Sequence, residues 1–161
     1  GGDEIFVNTE NMIIEFVTRM NERGIKPEME CFDKSHIDMA LRLVRKGYIK
    51  PPLHFNFVLG VNGGAAGTVR DLLFLKESLP EGATFTTSGV GRVQLDMNVA
   101  SMLLGGHVRV GFEDNLKYNR ERNGVSNAEF VERIVRIAKE LNLEIATPAE
   151  ARQILGLPER K

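Results

Sequence analysis

The sequence has no tryptophan and a single cysteine, Cys31, among its 161 residues. One thiol excludes an internal disulfide framework and a cysteine-built zinc site, and it fits a reducing compartment, so the expected location is the cytoplasm. Histidine is also scarce, and His36, His54 and His107 lie too far apart to share metal-ligand spacing. Neither sign of charge dominates: 21 Lys plus Arg stand against 22 Asp plus Glu. Such a balance gives no bulk field to attract nucleic acid or an anionic membrane. No apolar run approaches the ~20 residues that span a bilayer. The opening Gly1-Gly2-Asp3-Glu4 lacks the basic start of a signal peptide and an initiator methionine. The expectation is a chain that begins midway in something longer.

What is present is the composition of a globular domain, 42% hydrophobic and 27% charged, in a length that can bury a core. Helical spacing of Met12, Ile13, Phe16, Val17 and Met20 follows Thr9, a capping residue, and stops at Gly24. Lys26 to Asp33 reads as a strand, and Ser35 to Lys46 as a helix with Ile37, Ala40, Leu41 and Val44 on one side. The strand Leu53–Leu59 runs into a glycine-rich loop, Gly60 to Gly67, and a helix from Thr68 to Leu79. The cycle repeats with strand Ala83–Thr87, loop Ser88–Arg92 and a helix Gln94–Leu104 expected to turn Leu95, Val99, Met102 and Leu103 inward. A last strand, His107–Gly111, precedes a polar loop. A helix then follows Ser126 and Glu129, which are spaced as a capping box, and a short one starts at Thr147-Pro148.

Strand-helix units at a spacing of roughly 24 to 29 residues are the pitch of a parallel α/β architecture. A doubly wound sheet places ligands at one switch point, whereas a (β/α)8 barrel uses the loop after every strand. Here every strand exit carries polar or glycine-rich residues, which favours the barrel. A whole barrel takes about 250 residues, so residues 1–161 are expected to form a single half-barrel segment, strands five to eight with their helices, and the N-terminal half is absent.

The candidates for chemistry lie at those exits. His107, Arg109, Gly111 and Glu113 share parity and so share a face of the last strand. Arg109 and Glu113 are either a substrate clamp beside a metal ligand or a structural ion pair. Asp114 and Asn115 crowd the same exit, where the ordinary use of Asp-Asn is to cap a turn. Gly60, Gly63 and Gly64 offer backbone amides to a phosphate, although the loop matches neither a P-loop nor GxGxxG. In the third exit Ser88 supplies a hydroxyl and Arg92 a cation. Glu30 is a substrate-binding candidate, because an inward carboxylate is costly unless paired or used. Asp33 reads as a helix cap, the three histidines as structural, and Cys31 as a small core residue.

Taken together, Lys26-Pro-Glu-Met-Glu-Cys-Phe-Asp33, Phe57-Val-Leu-Gly-Val-Asn-Gly-Gly64, Ser88-Gly-Val-Gly-Arg92, Gly105-Gly-His-Val-Arg-Val-Gly-Phe-Glu-Asp-Asn115 and Ala146-Thr-Pro-Ala-Glu-Ala-Arg152 closely resemble the C-terminal half of the β-keto acid cleavage enzymes. That group has a member in lysine fermentation, an amino-acid catabolic route. The resemblance implies a zinc-dependent (β/α)8 barrel that converts a β-keto acid and acetyl-CoA to acetoacetate and a CoA thioester. It implies that Glu113 is the carboxylate zinc ligand, that Arg109 is the active-site arginine, and that Asp114 takes part in proton transfer. The glycine-rich exits would leave room for acetyl-CoA and its phosphates.

The sequence departs from the family in one respect. The His-x-His pair that supplies the other two zinc ligands does not occur in this chain. Glu113 alone cannot hold catalytic zinc, since such sites use three protein ligands. The isolated chain is therefore expected to be inactive and to bind Zn2+ weakly. The missing half-barrel is its expected partner, and self-association into a homo-oligomer through the open strand edges is expected in its absence. Two other readings stand beside this one: a noncatalytic α/β module that binds a phosphate-bearing ligand through Gly60 to Gly67, and another zinc-barrel lyase of aldolase type.

Overall fold

The computed structural model describes residues 4–158. The opening Gly1-Gly2-Asp3 and the last three positions of the expected 1–161 segment lie outside the described residues. The chain runs α1 (Glu10–Glu22), β1 (Met29–Cys31), α2 (Lys34–Arg45), β2 (His54–Leu59), α3 (Val69–Glu77), β3 (Thr84–Gly89), a 3-10 turn (Gly91–Val93), α4 (Gln94–Leu103), β4 (His107–Arg109), α5 (Asn127–Glu140) and α6 (Pro148–Leu155). The four strands form one parallel sheet in chain order, β1-β2-β3-β4. Each unit returns through a helix, as parallel pairing demands.

The helices start where the sequence places their caps. Thr9, Asp33, Thr68 and Thr147 accept from backbone amides two or three residues on. Thr147 and Glu150 complete a reciprocal capping box. At α5 the box is displaced: Ser126 accepts from the Glu129 amide, but the Glu129 carboxylate accepts from the Val125 amide at 2.9 Å and pairs with Arg122. The loop's own arginine draws that carboxylate one residue back.

Alternation along the strands divides the sheet. Met29, Cys31, Phe55, Phe57, Leu59 and Phe85 pack with Ile37, Ala40, Leu43, Leu72, Leu75 and Met97 of the helices into the hydrophobic core. Phe57 stacks on Phe85 at 5.4 Å between ring centroids. Fully burying such side chains is the main stabilising term. The other parity, Glu30, His54, Asn56, Thr84, Thr86, Ser88, His107 and Arg109, makes a polar face.

Several details differ from the sequence reading. β1 and β4 are shorter than expected, with three residues each, and Ser88 and Gly89 extend β3 instead of opening its loop. Leu43 is buried in α2, a position the apolar stripe omitted. In α4 the buried side is Gln94, Met97, Asn98, Ala100, Ser101 and Met102, while Leu103 is exposed. The cause is the sheet beneath: the Ser101 hydroxyl donates to the His107 carbonyl and accepts from Thr87, and Asn98 Nδ2 donates to the Arg109 carbonyl. Polar side chains are drawn under the helix to satisfy a short strand.

Candidate functional site

The polar face culminates at Arg109, the last residue of β4. β4 runs into a turn in which the amides of Asp114 and Asn115 both donate to the Gly111 carbonyl. Gly111 has φ +154°, a conformation that side-chain-bearing residues rarely adopt, and a Cβ there would stand 3.4 Å from Asn127 Oδ1. The turn folds Glu113 and Asp114 back over the strand end. Asp114 meets the guanidinium side-on, with Arg109 Nε to Oδ2 at 2.9 Å and Nη2 to Oδ1 at 2.8 Å. The same Nη2 donates to Glu113 Oε2. From the far side of the sheet Glu30 brings Oε1 to 3.5 Å from Nη1. Three carboxylates thus surround one guanidinium, and the exit carries net negative charge.

Burial distinguishes the three. The Asp114 side chain is 6% exposed, against 45% for Glu30 and 80% for Glu113. Burial, with the neighbouring Glu113, raises the Asp114 pKa against the pull of Arg109. Glu113 is held below the usual carboxylate range by hydrogen bonding with Asp114 and by Arg109. Burial lowers the Arg109 pKa, but the two acids outweigh it and hold the group above its ordinary value. Two adjacent acids pushed in opposite directions can divide roles, one kept ionised and the other able to carry a proton. Glu28, one pleat below Glu30, is raised by burial and then by the Glu30 charge.

Of the other candidates, Ser88 is fully buried and its hydroxyl donates to Asn56 Oδ1 at 2.8 Å. The register aligns Ser88 with Arg109 and Glu30 with Asn56. Asn56 itself was missed by the sequence reading. Its signal is a lone amide in an otherwise apolar run, at the parity of His54. It is 1% exposed, and its Nδ2 has no hydrogen-bond partner among the described residues. Arg92 is at the surface on the 3-10 turn and makes none of the ion pairs of this cluster.

The glycine loop is tied to itself and to β1. Gly60 N donates to the Ala65 carbonyl, Gly64 N to Val61 and Ala65 N to Phe32, so three amides of the supposed phosphate cradle are committed. Gly60 and Gly63 adopt φ +90° and +86°. A Cβ on Gly67 would stand 2.5 Å from Val93 Cγ2, and one on Gly64 would stand 2.9 Å from the Phe32 carbonyl oxygen. Close packing of the β2 exit against the β1 exit at Gly64 and against the β3 exit at Gly67 is reason enough for these two glycines.

The residues read as structural behave so. Cys31 is 1% exposed and burial pushes its thiol up to about 12, which leaves it protonated and inert. His36 Nδ1 accepts from the Phe32 amide, and His54 contacts the hydroxyls of Thr84 and Thr86 through its two ring nitrogens. Asn115 closes a turn through the Lys117 amide, while Asp114 is taken up by Arg109.

No group of three His, Cys, Asp or Glu side chains among the described residues could hold a metal ion. The chain's own donors therefore do not fit a complete zinc site. Glu113, ionised and open to solvent, is one available ligand. No helix among the described residues is long and apolar enough to cross a membrane.

Comparison with known proteins shows the family. A family model for the β-keto acid cleavage enzymes matches residues 1–157. The chain is 57% identical over 157 residues to a 3-keto-5-aminohexanoate cleavage enzyme of Acetoanaerobium sticklandii, covering 98% of this chain and 58% of that protein. An enzyme of the same name from Fusobacterium nucleatum is also 57% identical, with 98% of this chain and 57% of the relative covered. The 3-dehydrocarnitine:acetyl-CoA trimethylamine transferase of Rhizobium meliloti is 33% identical, over 99% of this chain and 53% of its own length. The chain thus spans somewhat more than half the length of these relatives, and over that span it belongs to the β-keto acid cleavage enzyme family.

Proposed function

We propose that this chain is the C-terminal half of a (β/α)8 barrel, strands five to eight, in an enzyme that converts a β-keto acid and acetyl-CoA to acetoacetate and a CoA thioester. The observation that carries the reading is the carboxylate-ringed guanidinium of Arg109 at the carboxyl end of a parallel sheet, where barrel enzymes place their chemistry. Residues 1–161 act as one structural unit, and the remaining strands come from protein outside this chain.

Each residue then has a task set by its surroundings. Arg109 offsets negative charge that develops on oxygen. Asp114, buried and raised in pKa, accepts and returns a proton at its carboxyl oxygen while keeping Arg109 in one orientation. Glu30 and the net negative charge of the exit favour a substrate with a cationic group, and an amino-substituted β-keto acid such as 3-keto-5-aminohexanoate fits that requirement. Ser88, through Asn56, holds the floor of the substrate site, and Arg92 lies at its rim. Gly60, Gly63 and Gly64 keep the β2 exit low enough for acetyl-CoA to pass over it.

Glu113 would provide one zinc ligand, and two histidines from outside this chain would complete the set. The chemistry that a bound zinc would supply there is polarisation of the substrate's keto oxygen.

The test is to assay the intact protein with acetyl-CoA and a panel of β-keto acids, following acetoacetate. Acetoacetate from an amino-substituted β-keto acid supports the reading; none from any member of the panel refutes it.

A further inference from the structure

The carboxyl end of the sheet is divided by charge. Around Arg109 three carboxylates outnumber one guanidinium, but the β3 and β4 exits beside it are basic. Arg92 stands exposed on the 3-10 turn after β3. In the loop after β4, over residues 116–125, Lys117, Arg120 and Arg122 stand against Glu121 alone. The excess is local, because the whole chain carries 21 basic against 22 acidic side chains.

Backbone bonds fix these cations on one rim. The Gly91 amide donates to the Asp114 carbonyl at 2.8 Å, which ties the turn carrying Arg92 to the β4 exit. Arg92 then lines one cavity with Asn115, Tyr118 and Arg133. The loop is closed on itself: the Tyr118 and Asn119 amides donate to the Arg122 carbonyl, and Asn119 Oδ1 accepts from the Glu121 and Arg122 amides. Two of the arginines hold it in place. Arg122 pairs with Glu129 and covers the Tyr118 ring at 4.0 Å, and Arg133 donates to the Tyr118 carbonyl and covers the same ring at 4.2 Å. Arg92, Lys117 and Arg120 have no such task. All three are exposed, and none takes part in the ion pairs formed among the described residues. Like charges gathered on one rim repel, a cost to the fold that an anionic ligand offsets.

We propose that Arg92, Lys117 and Arg120 bind the phosphates of the CoA co-substrate, an inference that rests on the acetyl-CoA-dependent reaction proposed above. Charge sorts the two substrates: the negative exit at Arg109 suits a cationic β-keto acid, and the positive rim suits a polyanion. Position agrees with charge. Val93, beside Arg92, packs on Gly67 of the β2 exit, so the turn that presents Arg92 adjoins the glycine loop that acetyl-CoA crosses. Arg120 lies six residues past Asp114, a span of at most about 20 Å. An extended pantetheine arm bridges a separation of that order, which brings the thioester to Asp114 while the phosphates stay at the rim.

Isothermal titration of the intact protein with CoA, with pantetheine, which lacks the phosphates, and with inorganic phosphate tests the inference. CoA is expected to bind the wild type more tightly than either of the others. Its affinity should fall about 5-fold in Arg92→Gln and on the order of 30-fold when Lys117→Gln and Arg120→Gln are added, each exposed charge contributing up to about a factor of five. Pantetheine should bind all three proteins alike. Equal CoA affinity in the three proteins overturns the inference, and so does a wild type that does not bind CoA, or one that binds inorganic phosphate as tightly. Acetoacetate formation is read separately. CoA affinity that falls with these cations in a protein that forms no acetoacetate refutes the reaction and leaves the site; unchanged affinity in a protein that forms acetoacetate refutes the site and leaves the reaction.

Discussion

Arg109 and Asp114 are joined by two parallel hydrogen bonds, 2.9 Å from Nε and 2.8 Å from Nη2, across a turn that also seats Glu113 on the same guanidinium. A lysine cannot reproduce that fork, because its ammonium is a point charge without the planar pair of donors. In the intact protein Arg109→Lys is expected to lower turnover on the order of 100-fold, the scale of losing one oriented donor to developing charge. Steady-state kinetics with a β-keto acid and acetyl-CoA read the effect; an unchanged kcat rules out the role given to Arg109.

Removing Asp114 tests stability as well as chemistry. A fully buried ion pair broken on one side costs roughly 3–5 kcal/mol. Here the Arg109 side chain is 38% exposed and keeps Glu30 and Glu113, so Asp114→Ala is expected to cost about 2 kcal/mol. A urea midpoint equal to that of the wild type would show that Asp114 is not holding the strand end.

Acid is expected to weaken the fold through His54. Burial, then the charges of His107 and Lys26, lower its pKa from 6.5 to about 4. Glu28 approaches Nε2 at 3.6 Å, but the ring nitrogens are already occupied by Thr84 and Thr86, so the neutral ring is the folded form. Between pH 6.5 and 4 the unfolded chain binds the proton that the folded chain refuses. Stability is therefore complete above about 6.5 and falls as pH drops toward 4, by on the order of 2–3 kcal/mol. Urea denaturation of wild type and His54→Gln at pH 7 and pH 4.5 compares the two, and the variant's stability should fall less; equal slopes contradict the account.

The glycine loop makes a packing prediction. A Cβ on Gly67 would meet three atoms of Val93 at 2.5–2.8 Å, so Gly67→Ala is expected to destabilise by about 1–3 kcal/mol. Val93→Ala in the same chain should recover part of the loss. If the double variant is no more stable than Gly67→Ala, the glycine serves something other than this contact.

The sequence reading succeeded where period alone decides. Glu30 and Cys31 sit on opposite faces as alternation requires, and Glu113 meets Arg109 as expected, although through the turn after β4 and not along a continued strand; the approach of Asp114 and Glu30 to Arg109 lay outside that reading. It failed where partners come from distant chain. Apolar spacing misplaced the buried side of α4, because the open carbonyls of His107 and Arg109 select Ser101 and Asn98. Asn56 escaped notice because its role depends on Ser88, 32 residues away. The amides of the Gly60 loop looked free because the loop folds on its own carbonyls, Ala65 and Val61, and only the Ala65 amide reaches a distant acceptor, Phe32.

Zinc content is expected to distinguish the chain from a protein that carries the proposed other half-barrel. Purified alone, the chain is expected to carry no stoichiometric zinc, because it offers Glu113 without two further ligands among the described residues. Tight one-to-one zinc by metal analysis of the chain would contradict that.

The most direct test of the central claim is acetoacetate formation by the intact protein from acetyl-CoA and 3-keto-5-aminohexanoate, measured beside Arg109→Lys. The account predicts acetoacetate and a CoA thioester in equal amounts from the wild type and about a hundredth of that rate from the variant. Equal rates from the two proteins, or no acetoacetate from the wild type, would contradict it.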